Sequence, residues 1–212
     1  HQMHNYLAKK KINVIISTGM SNLKEIDKTI KIYKKYNHKK FSILHCVSNY
    51  PCSDHSLNLK NIITLKKKYK CNVGFSDHSI GQIGSIISIA YGASIIEKHF
   101  TLNKNMDGPD HLASITPKEL KSLVDDIRRA EVMKGSYKKN IQKEEIEMRK
   151  ISRKSLIYTK NFEAGYLIKM DDISSSRPGT GLTGDKISLI LNKKLKRKVY
   201  KKNNVKLNDF KH

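Results

Sequence analysis

The sequence has no tryptophan, four prolines, three cysteines and only 19 acidic residues against 42 basic ones in 212 positions. Each shortage excludes something. Cys46, Cys52 and Cys71 form no CxxC pair and are odd in number, so neither a disulfide framework nor a thiolate zinc site is expected, and a reduced, cytoplasmic setting fits. No apolar run approaches the ~18 residues that a membrane helix needs, and His1-Gln2-Met3-His4 does not begin a signal-peptide core. The hydrophobic share, 38%, is modest, yet the apolar residues are clustered enough to build a core.

The formal charge of +23 raises the question of a nucleic-acid partner. Such binding predicts Lys and Arg gathered into a patch among aromatics or base-reading motifs. Here Lys is spread through every segment beside abundant Asn and Ile, a pattern of compositional drift, and no nucleic-acid motif is present. A diffuse positive field still favours an anionic small molecule.

The chain then reads as alternating elements. Residues 12–19 form a strand pattern, with Ser21 as cap of a helix carrying Leu23, Ile26, Ile30 and Tyr33 on one face. A second strand spans 41–48, followed by a helix from Ser56 to Tyr69. A third strand covers 71–76, with a helix from Gly81 to Tyr91, and a fourth covers 93–99. Thr116, Pro117 and Glu119 make a capping box that opens a helix running to about Met133. Four consecutive βα units predict a parallel sheet with helices outside, either a small open sheet or half of an eightfold barrel. The hydroxyls of Ser17, Thr18, Ser48 and Ser76 and the polar strand ends favour the barrel, whose mouth holds phosphate or carboxylate groups. Residues 1–134 are thus a partial barrel domain and 135–151 a polar linker carrying some helix. Residues 152–212 form a second, small, mostly β domain of short pieces, 155–159, 162–168, 177–182, 198–200 and 205–207, with turns at Gly165 and Pro178-Gly179.

The chemistry is concentrated at two strand ends, Gly74-Phe75-Ser76-Asp77-His78 and Ile96-Glu97-Lys98-His99, and in the loop Gly108-Pro109-Asp110-His111. Imidazoles at matched positions on successive strands suit one divalent ion, and imidazole mixed with oxygen donors suits Mn²⁺. Two unrelated polar residues at loop starts would give the same pattern. Of Asp77 and Glu97, one is read as an orienting acid or proton shuttle and the other as a surface acid. His45, in mid-strand, reads as a structural histidine and Cys46 as a small apolar filler. Arg177, before a Pro-Gly-x-Gly turn, is a rigidly mounted guanidinium able to grip a carboxylate, phosphate or acyl oxygen.

The ordered segments STGM, HCVSNYP, GFSDH, IEKHFTL, GPDH, RKSL and SSRPGTG resemble the sialic acid synthase family, from about residue 6 to 210. The resemblance implies the C-terminal half of a TIM (β/α)8 barrel followed by an antifreeze-like (SAF) domain, in a domain-swapped homodimer. It implies condensation of phosphoenolpyruvate with an N-acylated hexosamine, such as N-acetylmannosamine, to a nonulosonic acid and phosphate. Legionaminate and pseudaminate synthases and spore-coat sugar enzymes are relatives. Carried over, His78 and His99 are the ligands of Mn²⁺ or another divalent metal, and Ser76 and Ser48 hold phosphoenolpyruvate. Tyr50 and Asp110 hold the sugar hydroxyls, and Glu97 is an acid near metal and substrate. Arg177 reaches the N-acyl group in the partner subunit's site. The pattern departs from the family at its start. The chain begins at the helix before strand five, without the first four strands, the family's catalytic Glu and its phosphoenolpyruvate-binding lysines. The expectation is therefore a fragment: a truncated gene, one half of a split gene, or a partial record. A non-catalytic sugar- or metal-binding remnant is the alternative, and a basic nucleic-acid-associated protein a more distant one.

Overall fold

A computed structural model describes residues 1–211, which fall into two compact units, the first of residues 1–136 and the second beginning at residue 137. In the first unit α1 (Gln2–Lys10) leads into β1 (Val14–Ser17), and α2 (Leu23–Lys35) into β2 (Phe41–Cys46). Then come α3 (Asp54–Leu57), α4 (Asn61–Tyr69), β3 (Asn72–Asp77), α5 (Ile83–Ala90), β4 (Ile96–Lys98) and α6 (Pro117–Lys134). The four strands are parallel and lie in chain order, β1-β2-β3-β4. This is the arrangement that four βα units predict.

Alternation along the strands divides the sheet into two faces. Ile43, Val73, Phe75 and Ile96 point to the helices and meet Ile26, Ile30, Ile62, Leu65 and Ile89, with Ile127 and Ala130 of α6 packed against them. Each such side chain, fully buried, contributes about 1.5–3 kcal/mol. The opposite face carries Ser17, Leu44, Gly74, Ser76 and Glu97, set side by side by the register Ser17↔Leu44, Leu44↔Gly74 and Ser76↔Glu97. Gly74 is required there. A Cβ on it would press on the Ile95 carbonyl and lie 2.6 Å from Leu44 Cδ2.

Two local expectations are corrected and a third is met. The cap of α2 is Asn22, not Ser21: its Oδ1 accepts from the Lys24 and Glu25 amides while Glu25 returns a bond to the Asn22 amide. Glu25 stands three residues after Asn22, as the reciprocal box needs, whereas Ser21 has Lys24 there. The single helix expected over Ser56–Tyr69 is two, because Asn58 adopts a left-handed conformation (φ 41°) and ends α3. The capping box of α6 forms as read, with Thr116 Oγ1 accepting from the Glu119 amide and Glu119 from the Thr116 amide.

The second unit begins inside the stretch read as linker, and that stretch holds α7 (Glu145–Ser152). It is less regular than a mostly β domain. One antiparallel pair, β5 (Ser155–Tyr158) with β6 (Ile173–Ser176), is joined by isolated bridges such as Phe162↔Val199 and Leu195↔Phe210 and by short 3-10 turns. β6 was not expected, and the piece read over 177–182 is a loop. Leu156, Tyr158, Ile168, Ile190, Leu195 and Val205 fill its core. Burial, and after it the charge and hydrogen bond of the buried Asp209, push the Tyr158 phenol well above its ordinary pKa, while Asp209 also accepts from Arg197, whose charge works the other way. Among the described residues no helix is long and apolar enough to cross a membrane.

Candidate functional site: two imidazoles at the ends of β3 and β4

β3 and β4 pair as far as Asp77↔Lys98, so His78 and His99 are the first residues beyond the last rung of the ladder. Their rings meet edge to face, with centroids 5.3 Å apart. Tyr50, from the loop after β2, lies over both, 4.1 Å from His78 and 5.2 Å from His99. Burial raises the Tyr50 phenol pKa, and the acidic groups nearby, Asp110 and Glu97 among them, add to it. Asp110 brings Oδ2 to 3.9 Å from His99 Nδ1. Ser76, buried on the same face, donates from Oγ to Glu97 Oε1 at 2.7 Å and lies 3.5 Å from His78 Nε2. Thus His78, His99, Tyr50, Asp110, Ser76 and Glu97 converge.

Each group is held from behind. His78 Nδ1 is 2.9 Å from the Val47 carbonyl, which can only accept, so Nδ1 donates there and Nε2 faces Ser76. The loop bearing Asp110 is tied by the Ser114 amide and hydroxyl to the Asp110 carbonyl and by a 2.7 Å hydrogen bond between His111 Nδ1 and Thr101 Oγ1. The Ile115 amide donates to the His99 carbonyl. Ser48 lies differently. Its hydroxyl is 3.8 Å from Cys46 Sγ, and it lines a cavity of about 490 Å³ with Thr18, Ser21, His45 and Ser56. His45 is buried and bonded at 2.7 Å to the Leu57 carbonyl, as a structural histidine would be, and burial lowers its pKa. Cys46 is buried too, but its Sγ stands 3.8 Å from His78 Nδ1, a contact that a mere filler does not imply.

Asp77 and Glu97 separate cleanly. Asp77 is on the helix side, fully buried, accepting from the Ser79 amide, Ser79 Oγ and Ser85 Oγ and pairing with Lys98. Glu97 is on the open face, exposed, beside Ser76. Sequence reasoning missed the roles of Lys98, His111 and the Val47 carbonyl. For Lys98 the signal existed, since strand alternation puts it on the same side as Asp77.

Arg177 belongs to the second unit. Its Nε donates to the Ser152 carbonyl at 3.0 Å. The Pro-Gly-x-Gly turn behind it is clamped: the Gly179 amide donates to the Lys150 carbonyl, Ser155 Oγ to the Pro178 carbonyl, and the Gly181 amide to Ser155 Oγ. A side chain at position 179 would collide with Arg153, which explains why the turn needs glycine there.

Among the described residues no three of His, Cys, Asp and Glu gather closely enough to hold an ion. A divalent ion held between the His78 and His99 imidazoles would therefore need oxygen from water or substrate to complete its set.

Residues 1–139 match the NeuB family. The chain belongs to that family. A curated NeuB relative, the N,N'-diacetyllegionaminic acid synthase of Legionella pneumophila, is 40% identical over 194 residues, 90% of this chain and 54% of that protein. A protein of Methanocaldococcus jannaschii, MJ1065, is 42% identical over 86% of this chain and 54% of its own length. Among solved structures, the N-acetylneuraminic acid (sialic acid) synthetase of Leptospira borgpetersenii, in complex with citrate, matches 69% of this chain and 51% of its own. The TM-score is 0.65 and the identity 38%. The chain therefore spans about half the length of these NeuB relatives.

Proposed function

We propose that this chain carries the metal- and sugar-holding half of a nonulosonic acid synthase, one that joins phosphoenolpyruvate to an N-acylated hexosamine such as N-acetylmannosamine and releases phosphate. The observation that carries the reading is the edge-to-face His78–His99 pair under Tyr50, with Asp110 beside it, at the C-terminal ends of neighbouring parallel strands. Barrel enzymes place their chemistry at that end of the sheet. Membership of a family with legionaminic and neuraminic acid synthases supports the substrate class.

In this reading the His78 and His99 imidazoles hold Mn²⁺ or a similar ion, which when bound supplies Lewis acidity to the sugar aldehyde. Ser76 and Ser48 hold phosphoenolpyruvate. Tyr50 and Asp110 orient the sugar hydroxyls, and the Glu97 carboxylate, set by Ser76, takes or returns a proton near the reacting carbon. The second unit acts as an antifreeze-like cap in a domain-swapped homodimer, with Arg177 gripping the N-acyl oxygen in the partner's site. The setting is the cytoplasm, and the unit of residues 1–136 is a portion of a TIM barrel.

Titration with Mn²⁺, followed by the electron paramagnetic resonance of the free ion, tests the central claim. The 212-residue chain should bind one ion, and His78→Ala or His99→Ala should weaken binding by at least about tenfold. Undiminished binding in both variants would sink the reading. Phosphate release from phosphoenolpyruvate that depends on the added N-acylated hexosamine supports a synthase. Sugar and ion binding without release favours the non-catalytic alternative.

A further inference from the structure

Lys98 and Asp77 make a buried ion pair directly behind the two imidazoles. Nζ and Oδ2 are 3.1 Å apart, and the side chains are 4% and 0% exposed. The surface pairs along α6 look different: Lys121 with Asp125, for example, has both partners more than half exposed. The pair occupies the final rung of the β3–β4 ladder, and His78 and His99 are the next residue on each strand.

The cluster grips the backbone on both sides of His78. Asp77 precedes it; Ser79 follows it and gives Asp77 both its amide, at 2.8 Å, and its hydroxyl, at 2.6 Å. Lys98 Nζ then donates to the Ser79 carbonyl at 2.7 Å, so β4 is bound across to the residue after His78. Ser85 Oγ adds a 2.5 Å bond from α5. Every strong acceptor position of the carboxylate near these groups is thus in use. On the other strand, His99 is bracketed by Lys98 and by the Ile115 amide on its own carbonyl.

Stability alone does not call for such a pair, because an apolar pair of similar volume in its place is commonly as stable or more so. Its directional bonds do something an apolar contact cannot: they fix how far the ends of β3 and β4 stand apart and how they are turned. We propose that Asp77 and Lys98 are positioning residues that set the separation of the His78 and His99 imidazoles for a shared divalent ion. This rests on the metal-holding reading above. The two residues touch neither ion nor substrate; they act through the backbone of their neighbours, as outer partners of metal ligands do.

The test separates positioning from folding. Lys98→Met and Asp77→Asn each break the pair, and Asp77→Asn/Lys98→Met removes both charges while keeping an oxygen acceptor for Ser79. Thermal unfolding and Mn²⁺ affinity are measured on each in the full 212-residue chain. The single variants should melt lower and bind Mn²⁺ about 10- to 100-fold more weakly. The double variant should recover most of the melting temperature but stay weak for Mn²⁺. Recovery of both properties in the double variant would mean the pair is structural only, and so would wild-type affinity in folded single variants. His78→Ala serves as the control. If it binds Mn²⁺ as well as the wild type does, the metal-holding reading fails, and the pair's role falls with it for that separate reason.

Discussion

At the scale of single residues, space decides more than charge in this chain. Gly74 is the clearest instance, since its neighbours on the open face stand where a methyl would go: the Ile95 carbonyl, Leu44 Cδ2 at 2.6 Å and Ile95 Cβ at 2.7 Å. Two of these are on the backbone or next to it and cannot swing aside. Gly74→Ala should therefore destabilise the first unit by about 1–3 kcal/mol, read as a lower urea midpoint. A wild-type midpoint would mean the strands yield more easily than close packing allows. The site residues were legible to differing degrees. His78 and His99 could be read because strand alternation, a local rule, puts them on one face. The Val47 carbonyl and Cys46 Sγ beside His78 could not, since they arrive from 31 and 32 residues away and nothing local marks them.

Among the elements, α6 shows how much of the fold short-range pattern can disclose. Its start was readable because Thr116, Pro117 and Glu119 lie within four residues and need no partner elsewhere. What the pattern omits is Lys104, whose ammonium sits 2.6 Å from Glu119 Oε1. Lys104, and after it the Thr116 amide, hold the Glu119 carboxyl down to a pKa of about 2 from 4.5. A depressed carboxyl stabilises the fold above its unfolded pKa, and that contribution disappears as pH falls from about 4.5 towards 2. The difference in urea midpoint between wild type and Glu119→Gln should thus be largest near pH 6 and shrink through that window. A difference that stays constant with pH would contradict it. Thr116→Ala, by contrast, should lower stability by about 1 kcal/mol at neutral pH. The second unit was harder to read because its order rests on isolated bridges between distant residues, such as Leu195 with Phe210, rather than on long periodic strands.

For the molecule as a whole, the surplus of cations is the dominant property. A charge of +23 on 212 residues makes self-repulsion a general term against the folded state. Melting temperature should rise as salt goes from about 10 to 150 mM, where the screening length shortens from about 30 to 8 Å. A fall on adding salt would show that attractive pairs such as Lys104–Glu119 outweigh the repulsion.

The two-sided pattern of β3 carries a consequence for how this chain can change over generations. Ser76 and His78 look one way and Asp77 the other, so neighbouring codons encode reactive surface and supporting frame in strict turn. Replacing a letter there alters one side and spares its opposite. Inserting or deleting a single residue ahead of Ser76 would instead exchange the two sides outright, turning the imidazole into the hydrocarbon interior and the aspartate towards water. Descendants of this sequence are free to vary in spelling across that strand, but not in length.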